Sequence, residues 1–239
     1  MSWKKTTAYF FFQSLRYAQG WKSLQGHLAY YRRWRKFLSA GRSGLGDQLP
    51  WLNFPALDLL ERAITPGFKV FEYGGGGSTL FFCKRAGEVK TVEDDPAWLD
   101  GIKDQVEKNG WRHWQGWLIE PERRAGLETA DPANPLHFSS SHKLRKGYSY
   151  EKYARAIDPF PDEYFDLILV DGRSRPSCIR QAIPHLKTGG LLVVDNTERP
   201  HYLKAFREQI LTQFDTLTDQ RAPIGYTPDF VRTSIFRKK

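Results

Sequence analysis

The sequence predicts an α/β protein built on one central, mostly parallel sheet with helices on both faces. Three observations carry this. From residue 68 onward, apolar runs of strand length alternate with stretches whose apolar residues recur at helical spacing, the pattern of strands joined by crossover helices. The run FDLILVD at 165–171 is apolar without alternation, as expected of a strand covered on both sides. Two alternating segments, 214–219 and 230–236, close the chain as an antiparallel pair.

The elements follow in order. A chain of 239 residues suits one domain with an appendage, divided here into an arm and linker at 1–49 and a domain at 50–239. In the arm, Leu24, Leu28, Tyr31, Trp34 and Leu38 share one helical face, while Lys22, Arg32, Arg33 and Lys36 lie away from it. Glycines and Pro50 interrupt any helical period across 41–50, which marks a linker. A short helix over 56–64 stops at Pro66 and Gly67. The first strand spans 68–72, followed by a glycine loop at 74–77, a helix from Ser78 towards Gly87, and a second strand at 88–93.

Asp95 caps the next helix with Pro96 at its first position; Leu99, Ile102 and Val106 form its buried stripe, and Asn109 and Gly110 end it. A third strand lies near 117–120. Residues 121–147 are polar and too long for an ordinary connection, which marks them as a lid. Tyr150, Tyr153 and Ile157 give another helical face. After the strand at 165–171, a helix over 177–186 leads through Thr188, Gly189 and Gly190 into a strand at 191–195. Leu203, Phe206, Ile210 and Phe214 make a last helical stripe.

Composition narrows the function classes. With 40% hydrophobic and 26% charged residues the chain is neither fibrous nor disordered. Its two cysteines, Cys83 and Cys178, are too few for a disulfide framework, so they read as reduced thiols in a cytoplasmic protein. The longest apolar run, 8–12, is too short to span a bilayer or to serve as the core of a secretory signal.

Charge is uneven. Residues 1–46 hold nine basic residues, no Asp or Glu, and 11 of the 35 aromatics, whereas the rest of the chain balances 27 basic against 27 acidic residues. The body therefore gives no electrostatic reason to expect nucleic acid. For the arm the leading expectation is that its apolar face packs on the body or on another subunit in a homo-oligomer. Peripheral contact with an anionic membrane comes next, and nucleic acid last.

The sharpest motif is VFEYGGGGSTLFF at 70–82, a strand ending near an acid with glycines opening a helix. Such glycines allow a positive-φ turn and close approach of a ligand to the backbone. A dinucleotide fingerprint would need glycine at position 79, where Thr79 stands, so a nicotinamide cofactor fits poorly. Glu93, at the end of the second strand, offers instead a carboxylate for the ribose hydroxyls of an adenosine cofactor.

On these residues, together with FDLILVDG at 165–172 and LKTGGLLVVDN at 186–196, the chain resembles class I S-adenosylmethionine-dependent methyltransferases over roughly residues 50–239. The resemblance implies a Rossmann-like methyltransferase fold, a mostly parallel seven-stranded sheet with an antiparallel C-terminal strand, and S-adenosyl-L-methionine as methyl donor. It places Gly74, Gly76 and Ser78 along the methionine moiety, Glu72 beneath it, Glu93 on the ribose, and Asp171 facing the cofactor near the reacting methyl. Asp94 and Asp95 either meet the adenine edge or simply cap a helix, the latter preferred.

Asp171, Asp195 and Asn196 also resemble the oxygen ligands of metal-dependent catechol-type O-methyltransferases. Ser174 stands where those enzymes carry a lysine, so a divalent metal is not favoured. Arg173 and Arg175 either grip an anionic group of the acceptor or lie on the surface. His142, His185 and His201 could each act as a base; His185 sits in a helical run and reads as structural, His201 is the best placed of the three, and Asp171, Asp195 and His201 form the expected catalytic set. The expected reaction is in-line methyl transfer to an oxygen of a small or glycosidic acceptor. The alternatives are an aminopropyltransferase, which should carry an acidic segment where DGRSRP stands at 171–176, and a non-catalytic cofactor-binding or membrane-tethered scaffold. The motif of base amino-methylating relatives, Asn/Asp-Pro-Pro-aromatic, is missing, which again places nucleic acid last.

Overall fold

The computed structural model describes residues 3–39 and 41–239. The arm forms α1 (Trp3–Tyr17), α2 (Trp21–Ala29), α3 (Tyr31–Phe37) and the single turn α4 (Gly44–Asp47). The expected stripe from Leu24 to Leu38 is broken where the chain passes from α2 to α3 at Tyr30. Trp34 and Phe37 are buried, but Leu28 faces solvent and His27 turns inward.

Helix α5 (Phe54–Ala63) starts two residues earlier than expected because Asn53 caps it, accepting from the Ala56 N–H at 3.0 Å. Then come β1 (Lys69–Tyr73), α6 (Gly77–Cys83), β2 (Glu88–Glu93) and α7 (Pro96–Lys108), in the expected order. Strand β3 (Trp114–Leu118) lies three residues before its expected place. It is an edge strand without the apolar run of inner strands, and Gly116 leaves room for the Trp114 indole that a Cβ would strike.

The ends of the long polar segment are tied by β4 (Glu122–Arg123) and β5 (Tyr148–Ser149), an antiparallel pair outside the main sheet. Short α8 (Glu151–Ala154) follows, with Tyr150, Tyr153 and Ile157 all buried. Strand β6 (Phe165–Val170) precedes α9 (Arg175–His185), which starts ahead of its expected place with Pro176 in its first turn, where a missing N–H removes no hydrogen bond. Strand β7 (Leu186–Asp195) begins five residues early. Its Thr188-Gly189-Gly190 segment is an irregularity within the strand rather than a turn before it, with the register shifting opposite Phe165 and Leu167. Helix α10 (Arg207–Gln213) then leads to β8 (Phe214–Pro223) and β9 (Phe230–Lys238).

The main sheet has seven strands in the order β3-β2-β1-β6-β7-β9-β8. The first five are mutually parallel, and β9 runs antiparallel to both β7 and β8. Each face has its own apolar cluster. One joins α5, α6 and α7 to Phe10, Trp34 and Phe37 of the arm, so the cluster crosses the change of composition near residue 49. The other covers the opposite face with residues of α8, α9 and α10. Both cysteines are buried free thiols. Among the described residues no helix is long and apolar enough to cross a membrane.

Candidate active site

The site grows from the turn after β1. Gly74 has φ +87°, and a Cβ there would lie 2.6 Å from the backbone of Gly172, so only glycine lets the two strand-end loops touch. Its N–H donates to the Val92 carbonyl at 2.9 Å, and the next N–H, of Gly75, donates to Glu93 Oε2 at 2.9 Å. The Gly76 N–H donates to Thr79 Oγ1, and the Thr79 hydroxyl in turn donates to Glu72 Oε2 at 2.5 Å. The Thr91 hydroxyl donates to the same oxygen at 3.1 Å. Burial pushes the Glu72 carboxyl up to about 8, so it is largely protonated at neutral pH. Glu72 therefore braces the glycine loop from beneath.

Glu93 Oε1 accepts from the N–H groups of Asp94 and Asp95 at 2.8 and 3.0 Å, while Oε2 receives Gly75. Burial, then the neighbouring Asp94 charge, raises the Glu93 carboxyl to about 7. Asp95 caps α7 by accepting from the Trp98 N–H at 3.0 Å. The Trp98 indole N–H donates to the Gly75 carbonyl at 2.7 Å, which lays the ring along the glycine loop. Asp94 accepts from the Tyr150 hydroxyl at 3.3 Å and pairs with Arg173 at 3.4 Å, joining the end of β2 to the loops after β5 and β6.

Across the site, one guanidinium ties the ends of β6 and β7 together. Arg175 Nη2 donates to the Asp171 carboxylate at 2.8 Å and to its carbonyl at 2.6 Å, Nε donates to the Gly172 carbonyl at 3.1 Å, and Nη1 donates to the Asp195 carbonyl. Arg175 is thus spent inside the protein, and of the two arginines expected to grip an acceptor only Arg173 stays half-exposed. Asp195 Oδ1 accepts from the Thr233 hydroxyl at 2.6 Å; burial and then the Asp171 charge push its carboxyl up to about 8. Burial also raises Asp171, against the pull of Arg175.

These groups surround a cavity of about 1010 Å³ at the carboxyl end of the sheet. Gly74, Glu93, Asp171 and Asp195 line it together with Asn196, Arg173 and Arg199; part of the polar segment, residues 139–144, forms another wall. Glu72, Gly76 and Ser78 do not line it. Gly77 is pressed against the carbonyls of Gly44 and Leu49, so the linker covers the start of α6 where bare backbone was expected to meet ligand. His201 is off the wall as well: its ring packs on Tyr202 at 4.5 Å and burial lowers its pKa. Trp98, Arg199 and Tyr202 are among the wall residues that sequence reasoning missed; the only signal for Trp98 was an aromatic in the first turn of the helix capped by Asp95.

The donor set does not fit a metal. Arg175 already neutralises Asp171, Asp195 turns an oxygen to Thr233, and among the described residues no three His, Cys, Asp or Glu side chains are grouped to hold an ion.

No family model and no curated protein matches the chain. Solved structures do resemble it. A candidate O-methyltransferase from Klebsiella pneumoniae superposes with TM-score 0.55 at 16% identity, covering 99% of this chain and 98% of the other. A candidate methyltransferase from Streptococcus mutans in complex with SAH gives 0.51 at 15% identity over 76% and 94% of the two chains. TrmN from Thermus thermophilus gives 0.52 at 16% identity, over 87% of this chain and 53% of that one. Taken with the strand order, these likenesses show that the chain has the fold seen in class I S-adenosylmethionine-dependent methyltransferases.

Proposed function

We propose that the protein is an S-adenosyl-L-methionine-dependent methyltransferase acting on an oxygen of a small or glycosidic acceptor. The observation that carries the reading is where the cavity lies. It opens at the carboxyl ends of β1 and β6, neighbours in the sheet at which the strand order reverses, with Glu93 on one side and Asp171 and Asp195 on the other. Ligands of open α/β sheets bind at such a switch point.

The residues fit the donor. Two carboxylate oxygens offer about four lone-pair sites, and Glu93 uses three on backbone N–H groups, leaving capacity for a ribose hydroxyl. Trp98 supplies an apolar wall beside it, and Gly74 and Gly75 keep the backbone open next to Asp171. The bound donor would supply a methyl group on a positively charged sulfur. The chain's part is to hold the acceptor oxygen in line with that carbon, which accounts for much of the rate of such displacements. Asp195, buried on the cavity wall with a raised pKa, is suited to take the acceptor's proton.

Titration calorimetry with S-adenosyl-L-methionine tests the donor site. Glu93→Ala is expected to weaken binding by about 1 to 3 kcal/mol, because ribose donors lose their acceptor. Wild-type affinity should also fall with acidity: the ionised carboxylate is the better acceptor, so below a pKa of about 7 protonation competes with the ligand. Undiminished affinity in Glu93→Ala would remove this residue from the site. Asp195→Asn is expected to lower turnover by about 10² to 10⁴-fold while leaving donor affinity unchanged. Wild-type turnover should rise with pH up to about 8, as Asp195 loses its proton; a flat profile would assign the base elsewhere.

A further inference from the structure

We propose that the outer faces of α1 and α2 dock the protein on an anionic lipid surface. Helix α1 is two-sided. Phe10, Gln13 and Ser14 are buried against the body, while Phe12 and Leu15 on the opposite side are 55% and 69% exposed, with Phe11 beside them. On α2, which packs against α1, Trp21 is 70% exposed and Leu28 is also open to solvent. Exposed Lys4, Lys5, Arg16 and Lys22 flank these apolar side chains, and residues 1–46 contain no acid. Interfacial helices combine these features, with aromatic and aliphatic groups at the acyl boundary and cations at the headgroups.

Charge argues for lipid over a second copy of this chain. A symmetric dimer through this face would bring the same cationic helices, which carry no Asp or Glu of their own, against themselves. Nucleic acid would answer the cations and stack on the rings, but Leu15 and Leu28 would gain nothing from it. The same surface reaches the cavity rim. The Tyr9 hydroxyl of α1 donates to Asp229 at 3.0 Å, and Asp229 and the exposed Trp51 both line the cavity. Docking would therefore hold the cavity mouth near the bilayer, and it stands independently of the reaction performed there.

Sedimentation of the full-length protein with vesicles tests the proposal. Vesicles of phosphatidylcholine with about one-third phosphatidylglycerol should retain the protein at least about tenfold better than pure phosphatidylcholine at low salt, and high salt should release it. Phe12→Ser with Trp21→Ser should lower retention about tenfold with an unchanged far-ultraviolet circular dichroism spectrum and melting temperature, since both side chains lie outside the core. Lys4→Gln, Lys5→Gln and Lys22→Gln together should abolish the preference for anionic vesicles. Three results would overturn the proposal: no retention on anionic vesicles, a dimer by light scattering that Trp21→Ser dissolves, or binding of single-stranded RNA in place of vesicles that the same substitutions abolish.

Discussion

Deletion of residues 1–46 is expected to unfold the protein rather than trim it. Phe10, Trp34 and Phe37 belong to the same apolar cluster as Leu52, Phe54 and Phe230, with ring centroids 5.3 Å apart for Phe10 and Phe230 and 5.8 Å for Phe37 and Phe54. Polar contacts reinforce the seam: the Tyr30 hydroxyl donates to Asp58 at 2.7 Å, and Arg33 pairs with the same carboxylate. Truncating one buried Phe or Trp to Ala costs about 3 to 5 kcal/mol, and whole domains are stable by only about 5 to 15 kcal/mol. Losing three such anchors at once, about 9 to 15 kcal/mol, is as large as that whole margin. The truncated chain should lose its near-ultraviolet circular dichroism and its cooperative melt, and Trp34→Ala alone should lower stability by about 3 to 5 kcal/mol in urea titration. A truncated chain melting cooperatively at the full-length temperature would show that the arm is an accessory.

Arg175→Ala is expected to be nearly as damaging, although it changes a polar residue. The side chain is buried and its donors reach the Asp171 carboxylate and the carbonyls of Asp171, Gly172 and Asp195. Removing it leaves a half-buried carboxylate and three carbonyls without this partner, a loss of up to about 3 to 5 kcal/mol, the range for a broken buried pair. With urea m-values of about 2 to 3 kcal/mol/M, the unfolding midpoint should fall by roughly 1 to 2 M. Arg175→Lys should rescue little, because one ammonium cannot span both strand ends as a planar fork does. Asp171→Asn added to Arg175→Ala should restore part of the loss by removing the orphaned charge. A midpoint unchanged in Arg175→Ala would refute the bracing role.

Much of the fold was legible because it rests on local chemistry. Asp95 and Pro96 announce the start of α7, and the run at 165–170 can only be an inner strand. The misplaced boundaries share a cause. For β3 and β7 the pairing partner decides where the strand begins: Trp114 pairs with Val89 at the sheet edge, and Leu186 pairs with Phe165 across an irregular stretch of glycines. Neither partner is visible in a local window. The arm's helical wheel failed for a related reason, since a straight helix was assumed and the chain divides at Tyr30, with Trp34 packed on Phe10 and Phe37 on Phe54 within one apolar cluster.

The amino-acid order alone determined the run of strands and helices, the glycine turn at Gly74 and the acid at Glu93, because caps, apolar periodicity and positive φ act between near neighbours. Only the tertiary structure decided what those groups face. It spent Arg175 on two strand ends, packed His201 on Tyr202 rather than in the cavity wall, set Glu72 under the loop and brought the linker carbonyls of Gly44 and Leu49 against Gly77. Each of these depends on a contact between segments distant along the chain or on how a whole loop packs, and hydrogen bonds and close packing of that kind leave no periodic trace in the sequence.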